Sequence, residues 1–312
     1  MGSTILRCIF WRCLMEIKTV GIMSPGDMGH SVGQVLKTHG FNISTCLDGR
    51  SERTKRLALT AGFNISPTLE DLVKEVDIIL SILVPSESKN FAAKMVDPIR
   101  RVGKKIYFAD CNAISPSTAT ALSKMINDAG GKFIDGGIIG GPPTKGDKTR
   151  FYVSGKYAPI MSELDEKGIK IKFAGDEIGQ ASGIKMCYAA LTKGTSTLQV
   201  ALLTVAQKLG LSDCLRDELA YSQQTNLSLM ESGIPRLPPN AHRWIGEMEE
   251  IAKTFKEVGI TPNFHLGAVE IYKLLNSTSF SEESPENMDM ARTAWQTIEA
   301  VADLIPEKNQ EI

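Results

Sequence analysis

The residues with the clearest chemistry lie in a glycine turn between a strand-like run and a helical pattern. Residues 19–29 read Thr-Val-Gly-Ile-Met-Ser-Pro-Gly-Asp-Met-Gly. In a turn of this kind Gly26 lets the backbone approach a pyrophosphate, Gly29 lets helix and strand pack closely, and the helix N-terminus supplies amide donors. Ser24 stands at the first glycine of the G-x-G-x-x-G pattern, where a small side chain can still make the tight turn. The segment therefore predicts a dinucleotide-binding turn.

Polar residues suited to a ribose follow about twenty residues later, where the second strand-like run ends. Asp48 could accept hydrogen bonds from the two ribose hydroxyls of NAD, whereas Arg50 and Ser51 could bind the 2′-phosphate of NADP. The helix expected next carries three more cations, Arg53, Lys55 and Arg56. These cations favour NADP as the cofactor, with NAD as the alternative.

The elements that must position these residues follow from short β-branched runs that alternate with amphipathic stretches. This alternation is typical of βαβ units and of a mostly parallel sheet. We therefore predict an α/β fold with an N-terminal Rossmann domain over residues 16–178, and we treat residues 1–15 as an extension of uncertain role. Strands are expected at residues 19–23, 42–47, 76–82, 105–109, 132–135, 151–154 and 170–173.

A second domain, all-helical, is expected over residues 179–312, because strand-like runs give way to helical apolar spacing there. Residues 180–209 lack proline and are apolar on most faces, which predicts a long, largely buried helix. Further helices are expected at residues 213–230, 242–257, 264–275 and 287–302, with a polar loop at 279–286.

The composition narrows the function classes. With 35 basic and 36 acidic residues the net charge is −1, so no general field favours nucleic acid or an anionic membrane. No apolar run reaches the roughly 18 residues of a membrane span. The six cysteines are scattered, and His242 and His265 lack metal-ligand spacing, so we expect no metal site. Reduced thiols favour a cytoplasmic protein, with a mitochondrial one as the alternative because Met1–Leu14 is basic and apolar.

Several segments together resemble the β-hydroxyacid dehydrogenase and 6-phosphogluconate dehydrogenase superfamily, from Ile17 onward. The family's G-x-I-G-x-G-x-M-G opening is similar to residues 21–29 and shares Gly26, Met28 and Gly29 with them. The resemblance implies a Rossmann domain followed by a helical domain, and it implies that these three residues contact the cofactor.

Two further loops carry the resemblance. The family's cofactor loop after the fourth strand is similar to Ile-Leu-Val-Pro at residues 82–85, which implies that Leu83 and Val84 contact the cofactor. The family's D-A-P-V-S-G-G substrate loop is similar to Asp-Gly-Gly-Ile-Ile-Gly-Gly at residues 135–141, where Ile139 replaces the serine.

The family's G-x-x-x-K-x-x-N helix resembles residues 179–189, and Lys185 falls on its catalytic lysine. The family's asparagine is replaced by Tyr188 or Ala189, and 6-phosphogluconate dehydrogenases carry His-Asn there, so the resemblance does not imply that activity. The segment Lys-Met-x-Tyr-Ala-Ala-x-Thr-Lys-Gly and the segment that begins at Arg243 resemble a branch with a phosphogluconate dehydrogenase C-terminal-like helical domain.

The expected chemistry is proton transfer beside a hydride transfer. Lys185 would remove or return the hydroxyl proton, for which burial or a cationic neighbour must lower its pKa from about 10.4. Tyr188, one turn further on the same face, would orient the lysine or donate a hydrogen bond to the substrate oxygen.

The candidate substrate-binding residues come from three segments. Asn112 follows the carboxyl end of a parallel strand, where such sheets bind ligands, and a turn-forming asparagine is the alternative. Gly140 and Gly141 could present amides to a carboxylate or simply make a tight turn. Trp244 and Glu247 share a helix face that could close the pocket, or Glu247 could be part of a salt-bridged surface.

We therefore expect an NADP- or NAD-dependent oxidoreductase that acts on a small 3-hydroxy acid, a 3-hydroxy amino acid or a related carbonyl compound. The alternatives are an imine reductase and a catalytically silent dinucleotide-binding module, the latter because of Ser24, Ile139 and the missing asparagine. The resemblance and the apolar long helix both favour a homodimer.

Overall fold

The computed structural model describes residues 16–146, 149–284 and 287–306. The chain divides into two compact units, residues 1–185 and residues 186–312. The extension expected over residues 1–15 lies outside the described residues. Each unit is considered by itself below.

The first unit is built around an eight-stranded sheet with the order β3-β2-β1-β4-β5-β6-β7-β8. All neighbouring strands are parallel except β6 and β7, which are antiparallel. This arrangement confirms the predicted Rossmann fold, whose characteristic order starts 3-2-1-4-5-6. The strands are β1 (Thr19–Met23), β2 (Asn42–Thr45), β3 (Asn64–Ile65), β4 (Ile78–Ser81), β5 (Tyr107–Asp110), β6 (Lys132–Ile139), β7 (Arg150–Ser154) and β8 (Lys170–Gly175).

Two apolar layers cover the two faces of this sheet. On β4, Ile78 and Leu80 belong to one buried cluster and Ile79 belongs to the other, because successive side chains of a strand point to opposite faces. Buried strands of a parallel sheet are covered on both faces, which explains their nearly continuous apolar sequence. The helices of the first unit are α1 (Asp27–Thr38), α2 (Glu52–Thr60), α3 (Leu69–Glu75), α4 (Ser88–Val102) and α5 (Pro116–Asp128).

Strand β6 is longer than predicted, because Gly136 and Gly137 continue it instead of turning. A Cβ on Gly136 would lie 2.7 Å from the carbonyl oxygen of Asp110, and a Cβ on Gly137 would lie 2.8 Å from the Cβ of Lys185. The two glycines therefore allow neighbouring backbone to approach the strand closely.

The remaining helices are α6 (Gln180–Lys208), α7 (Ser212–Ser222), α8 (Gln224–Gly233), α9 (Pro238–Glu257), α10 (Asn263–Ser277) and α11 (Ala294–Asp303). Helix α6 begins in the first unit and continues into the second. The single helix predicted over residues 213–230 is wrong, because Gln223 adopts a non-helical conformation with φ −137° and separates α7 from α8. The last helix starts at Ala294 and not at residue 287, since Thr293 and Gln296 form a capping box there.

Helix α6 is less buried within the chain than its apolar sequence predicted. Leu191, Leu198 and Val205 are 69%, 66% and 57% exposed. They are spaced by seven residues and therefore form one apolar stripe along the helix. Across the described residues, no helix has the length and apolarity needed to cross a membrane.

Candidate functional site

The predicted dinucleotide turn lies between β1 and α1. Ser24 adopts a left-handed conformation with φ +56°, which explains why the family pattern has glycine at this position. The amide of Gly26 donates to the carbonyl oxygen of Ser24 at 2.6 Å. A Cβ on Gly29 would lie 2.7 Å from that oxygen, so Gly29 permits the close packing of helix and strand that the sequence predicted.

The N-terminus of α1 has room for an anion. Gly26 is its N-cap, and no side chain caps the helix. A Cβ on Gly26 would meet only the carbonyl oxygen of Ser24, at 3.9 Å. The first-turn amides, which include that of the half-buried Met28, lack partners within the helix and carry the positive end of its dipole. These features fit a pyrophosphate.

The residues expected to bind the ribose end differ in their surroundings. Arg50 is half-buried, and its Nε is buried without a hydrogen-bond partner. Burial lowers the pKa of Arg50, an effect opposed by the charges of Cys46, Glu87 and Asp48. Asp48 is exposed, whereas the Oγ of Ser51 accepts from the amide of Thr54 at 3.3 Å and caps α2.

The three cations that favoured NADP have different environments. Arg53 forms an ion pair with Asp27, the first residue of α1, at 2.5 Å. Lys55 pairs with Glu52 at 2.7 Å, and Arg56 is exposed on α2. Arg53 therefore offsets the negative charge that Asp27 places beside the proposed phosphate position. The unpartnered Nε of Arg50 is the better fit to a bound phosphate group.

Asn112 links two loops at the carboxyl edge of the sheet. It is 2% exposed, and its Nδ2 donates to the Oγ of Ser81 at 3.1 Å and to Oδ2 of Asp110 at 2.9 Å. Its Oδ1 accepts from the amide of Leu83 at 2.5 Å. Both ends of the amide thus bind protein groups, and Asn112 fixes the loop of Leu83 and Val84, which are themselves half-buried.

Asp110 is a fully buried carboxyl group beside this link. Burial raises its pKa to about 7, although hydrogen bonds from Asn112 and Ser81 act in the opposite direction. Asp135 is its register partner on β6 and raises the pKa further through its charge. The folded carboxyl group therefore keeps its proton at pH values where an exposed aspartate has lost it.

This raised pKa predicts a pH-dependent contribution to stability. Between about pH 4 and about pH 7 the unfolded carboxyl group is ionised while the folded one holds its proton, so stability falls as pH rises through that window. The free energy of unfolding should decrease relative to that of Asp110→Asn by up to about 1.4 kcal/mol per pH unit. Urea titrations of both proteins at several pH values measure the difference. If the difference in unfolding free energy between the two proteins did not change with pH, the raised pKa of Asp110 would be contradicted.

Lys185 ends the first unit and lies against β6. It is half-buried, and its Cβ lies so close to Gly137 that a Cβ on that glycine would be only 2.8 Å away. Tyr188, one helical turn later on α6, is 45% exposed. Beyond β6, Gly140 has φ +109° and is exposed, and the carbonyl oxygen of Gly141 accepts from Oγ1 of Thr149 at 2.6 Å.

The second unit brings Trp244 and Glu247 together around a residue that sequence reasoning missed. Lys193 forms an ion pair with Glu247 at 3.0 Å, where the side chains are 17% and 8% exposed. Its Nζ lies 5.6 Å from the Trp244 ring centroid, and that ring packs on Tyr272 at 5.4 Å. Lys193 is the one charged residue between Lys185 and Lys208 in an otherwise apolar helix, which is a signal that it needs a buried partner.

The two histidines considered for metal binding, His242 and His265, lie in the second unit. Within the part of the chain that the structure describes, no group of three histidine, cysteine or acidic side chains is arranged for a metal. His265 is buried against Phe255, with ring centroids 4.3 Å apart, and burial lowers its pKa. Partial burial lowers the pKa of His242, and the charge of Arg243 acts in the same direction.

Two family models match the chain. Residues 19–162 match the NAD binding domain of 6-phosphogluconate dehydrogenase, and residues 206–275 match a domain of unknown function, DUF1932. The first match spans β1 to β7. It therefore includes the glycine turn, the candidate ribose-binding residues Asp48, Arg50 and Ser51, and Asn112.

Among its relatives, the chain is 32% identical to an uncharacterised 28.5 kDa protein from the 7S RNA 5′ region of Methanothermus fervidus, over 65% of this chain and 77% of that protein. A solved protein of unknown function, described as structurally similar to 3-hydroxyacid dehydrogenases, is 30% identical with a TM-score of 0.59, over 82% and 96% of the two chains.

A third match, with 14% identity and a TM-score of 0.62, is 3-hydroxyisobutyrate dehydrogenase of Mycobacterium tuberculosis, solved with L-serine. It covers 92% of this chain and 99% of that one, and at this identity the likeness concerns the fold. With the family models and the two relatives near 30% identity, these findings show that the chain belongs to the 6-phosphogluconate dehydrogenase-like superfamily of NAD(P)-binding oxidoreductases.

Proposed function

We propose that this protein is an NADP-dependent dehydrogenase or reductase that interconverts a small 3-hydroxy acid or 3-hydroxy amino acid and its carbonyl compound. The observation that carries the proposal is the close packing of Lys185 against Gly137 of β6. This contact lies next to the carboxyl edge of the sheet, where the dinucleotide turn also lies. Ligands of open α/β sheets bind at that edge. The 3-hydroxyisobutyrate dehydrogenase solved with L-serine shares this fold at 14% identity, so the substrate class itself is part of the proposal and is tested below.

In this proposal a bound nicotinamide would take up or supply the hydride. The chain's own residues do the rest. The first-turn amides of α1 and the guanidinium of Arg50 would hold the cofactor's phosphates, and Asn112 fixes the loop of Leu83 and Val84, which would contact the cofactor. The ε-amine of Lys185 removes the hydroxyl proton during oxidation and returns it during reduction.

The other candidate residues have supporting roles in this proposal. Tyr188 presents its hydroxyl on the helix that carries Lys185 and would donate to the substrate oxygen. The amides of Gly140 and Gly141 would bind the substrate carboxylate. Asn112 acts on the substrate only indirectly, because its amide is occupied by Ser81, Asp110 and Leu83. Trp244 and Glu247 lie in the second unit, where Glu247 pairs with Lys193, and their role at the substrate stays a prediction.

A turnover assay tests the proposal. Purified protein is mixed with NADP(H) or NAD(H) and with 3-hydroxy acids, 3-hydroxy amino acids, the matching carbonyl compounds and cyclic imines, and absorbance of the reduced nicotinamide is followed. Cofactor binding is measured in parallel by fluorescence. Turnover of a hydroxy acid supports the proposal, turnover confined to imines replaces it with imine reduction, and binding without any turnover favours a silent module.

Cofactor choice should depend on Arg50. Replacing it with glutamine removes the cation whose buried Nε has no protein partner, and a charge-assisted bond to phosphate contributes roughly 1.5–3 kcal/mol. We therefore expect the Kd of NADPH to rise about 10-fold to 100-fold while that of NADH changes little. Titration of both cofactors measures this. Arg100→Gln, on the exposed side of α4, is the matched control. Equal losses for NADPH and NADH would contradict the role.

We propose in addition that the chain forms a homodimer through the apolar stripe of α6, defined by Leu191, Leu198 and Val205. Three large exposed side chains at seven-residue spacing are suited to helix packing against a second copy. Light scattering should give twice the chain mass, and Leu198→Glu should halve it. A monomeric wild-type protein at micromolar concentration would exclude this assembly.

A further inference from the structure

One buried carboxylate in the first unit binds an unusual number of donors. The side chain of Asp135 on β6 accepts from Ser154 Oγ at 2.8 Å and from the amides of Gly179, Ala181 and Ser182 at 2.8, 3.1 and 3.1 Å. The hydroxyl of Ser182 also donates to it. Asp135 is 1% exposed, so a strand residue caps the start of α6 from inside the core.

This cap differs from an ordinary N-cap, because the capping residue lies more than forty residues before the helix. A usual N-cap satisfies one or two amides from the residue directly before the first turn. Here a carboxylate on the sheet accepts hydrogen bonds from three amides and from the Ser182 hydroxyl at the start of the helix. The positive end of the helix dipole faces this carboxylate. Ser154 on β7 completes the set, since its Oγ also accepts from the amide of Ala181 at 3.0 Å.

The same strand supplies a second contact one turn further along α6. Gly137, two residues after Asp135, faces Lys185, three residues after Ser182. A Cβ on Gly137 would lie 2.8 Å from the Cβ of Lys185 and 3.1 Å from the carbonyl oxygen of Ala181. Residues three apart on a helix lie on the same face. The hydrogen bonds to Asp135 and the packing of Lys185 on Gly137 together therefore fix both the distance from the sheet and the rotation of the helical turn that carries Lys185.

We propose that Asp135 is a positioning residue, which sets where the ε-amine of Lys185 stands over the sheet by binding the first turn of α6. This proposal rests on the proposed role of Lys185 in proton transfer. Asp135 touches neither substrate nor cofactor in it. A misplacement of a reacting group by about 1 Å can cost about 100-fold in rate, so a loosened first turn should be visible in kcat.

Two variants loosen or displace the turn in different ways. Asp135→Asn keeps the shape of the side chain but presents an amide group to donors that need an acceptor. Gly137→Ala leaves the cap intact and pushes Lys185 away from β6. We expect each to lower kcat about 10-fold or more, with the KM of the cofactor changed less than about 3-fold. Ser182→Ala, which removes one donor, should show a smaller loss in the same direction.

Two readouts do not require turnover. The first is hydrogen exchange of the amides of Gly179, Ala181 and Ser182, which should accelerate in Asp135→Asn. The second is the rate at which Lys185 is acylated by acetic anhydride, followed by peptide mass spectrometry, which should change in Asp135→Asn and in Gly137→Ala. Thr68→Ala is the matched control, because it removes the N-cap of α3 and should leave Lys185 acylation and kcat unchanged.

The outcomes separate this inference from the proposed function. Faster exchange with unchanged Lys185 acylation and unchanged kcat would show that the cap is purely structural and would overturn the inference. If the wild-type protein turns over none of the substrates, the proposed function fails, while a changed acylation rate in Asp135→Asn still supports the positioning of Lys185. If Asp135→Asn does not fold, Ser182→Ala and Gly137→Ala provide the same comparison, and wild-type acylation rates in both would overturn it.

Discussion

Replacing Lys185 with alanine is expected to lower kcat by about 10²-fold to 10⁴-fold, which is the usual contribution of a positioned acid or base. Alanine keeps the Cβ that faces Gly137, so the packing of α6 on β6 should persist. The Kd of NADPH should stay within about 3-fold, since the proposed phosphate contacts lie at α1 and Arg50. Steady-state kinetics and cofactor titration measure the two quantities.

Lys185→Arg separates the proton-transfer role from a purely electrostatic one. Arginine keeps the positive charge but does not release a proton in proteins. It should therefore be nearly as inactive as alanine if Lys185 transfers the proton, and largely active if charge alone matters. Lys124→Ala, an exposed lysine paired with Asp128 on α5, is the matched control and should retain full turnover. Full turnover by Lys185→Ala itself would end the acid–base assignment.

Breaking the ion pair between Lys193 and Glu247 is expected to destabilise the second unit by about 3–5 kcal/mol, because the remaining partner is left charged in a largely buried position. Glu247→Leu removes the carboxylate that pairs with Lys193, and Lys193→Met removes the cation that pairs with Glu247 beside Trp244. Urea unfolding followed by tryptophan fluorescence measures both losses.

The double variant distinguishes a buried pair from two independent residues. When both partners are replaced by apolar side chains, neither charge remains buried, so the loss should be well below the sum of the single losses. The cycle with Lys273 and Glu270, an exposed pair on α10, is the control and should show little or no coupling, because solvent screens the two charges. Additive losses at Lys193 and Glu247 would contradict the idea of a coupled pair.

Much of the fold could be predicted from the sequence, because apolar periodicity reports burial directly. The first strand, Thr19–Met23, was predicted with its exact bounds, since a β-branched run ends at a turn there. Strand β3 was missed because Asn64 and Ile65 are both exposed and give no alternating signal. The break at Gln223 was missed for a different reason, as no glycine or proline marks it. The capping box of Thr293 and Gln296 was readable and would have located the start of α11.

The candidate site was predictable where its signals are local. The glycine turn and the candidate ribose-binding residues each occupy a short stretch of sequence, so residue types and spacing were enough to propose them. The cap on α6 joins Asp135 to residues 44 and 47 positions later, and no local pattern announces such a contact. Asn112 was placed correctly at a strand end, but its partners Ser81 and Leu83 come from the end of β4 and the loop after it, which sequence alone does not orient.

The two edge strands of the sheet affect whether the protein aggregates at high concentration. An open border strand can recruit strands of other molecules, which leads to aggregation. Here one edge strand is β3, which has only two residues available for pairing. The other is β8, where Lys170 pairs with Asp165 at 3.4 Å and Lys172 is exposed. A strand from another molecule would have to pair over two residues or approach a charged row, so this fold discourages the growth of shared sheets.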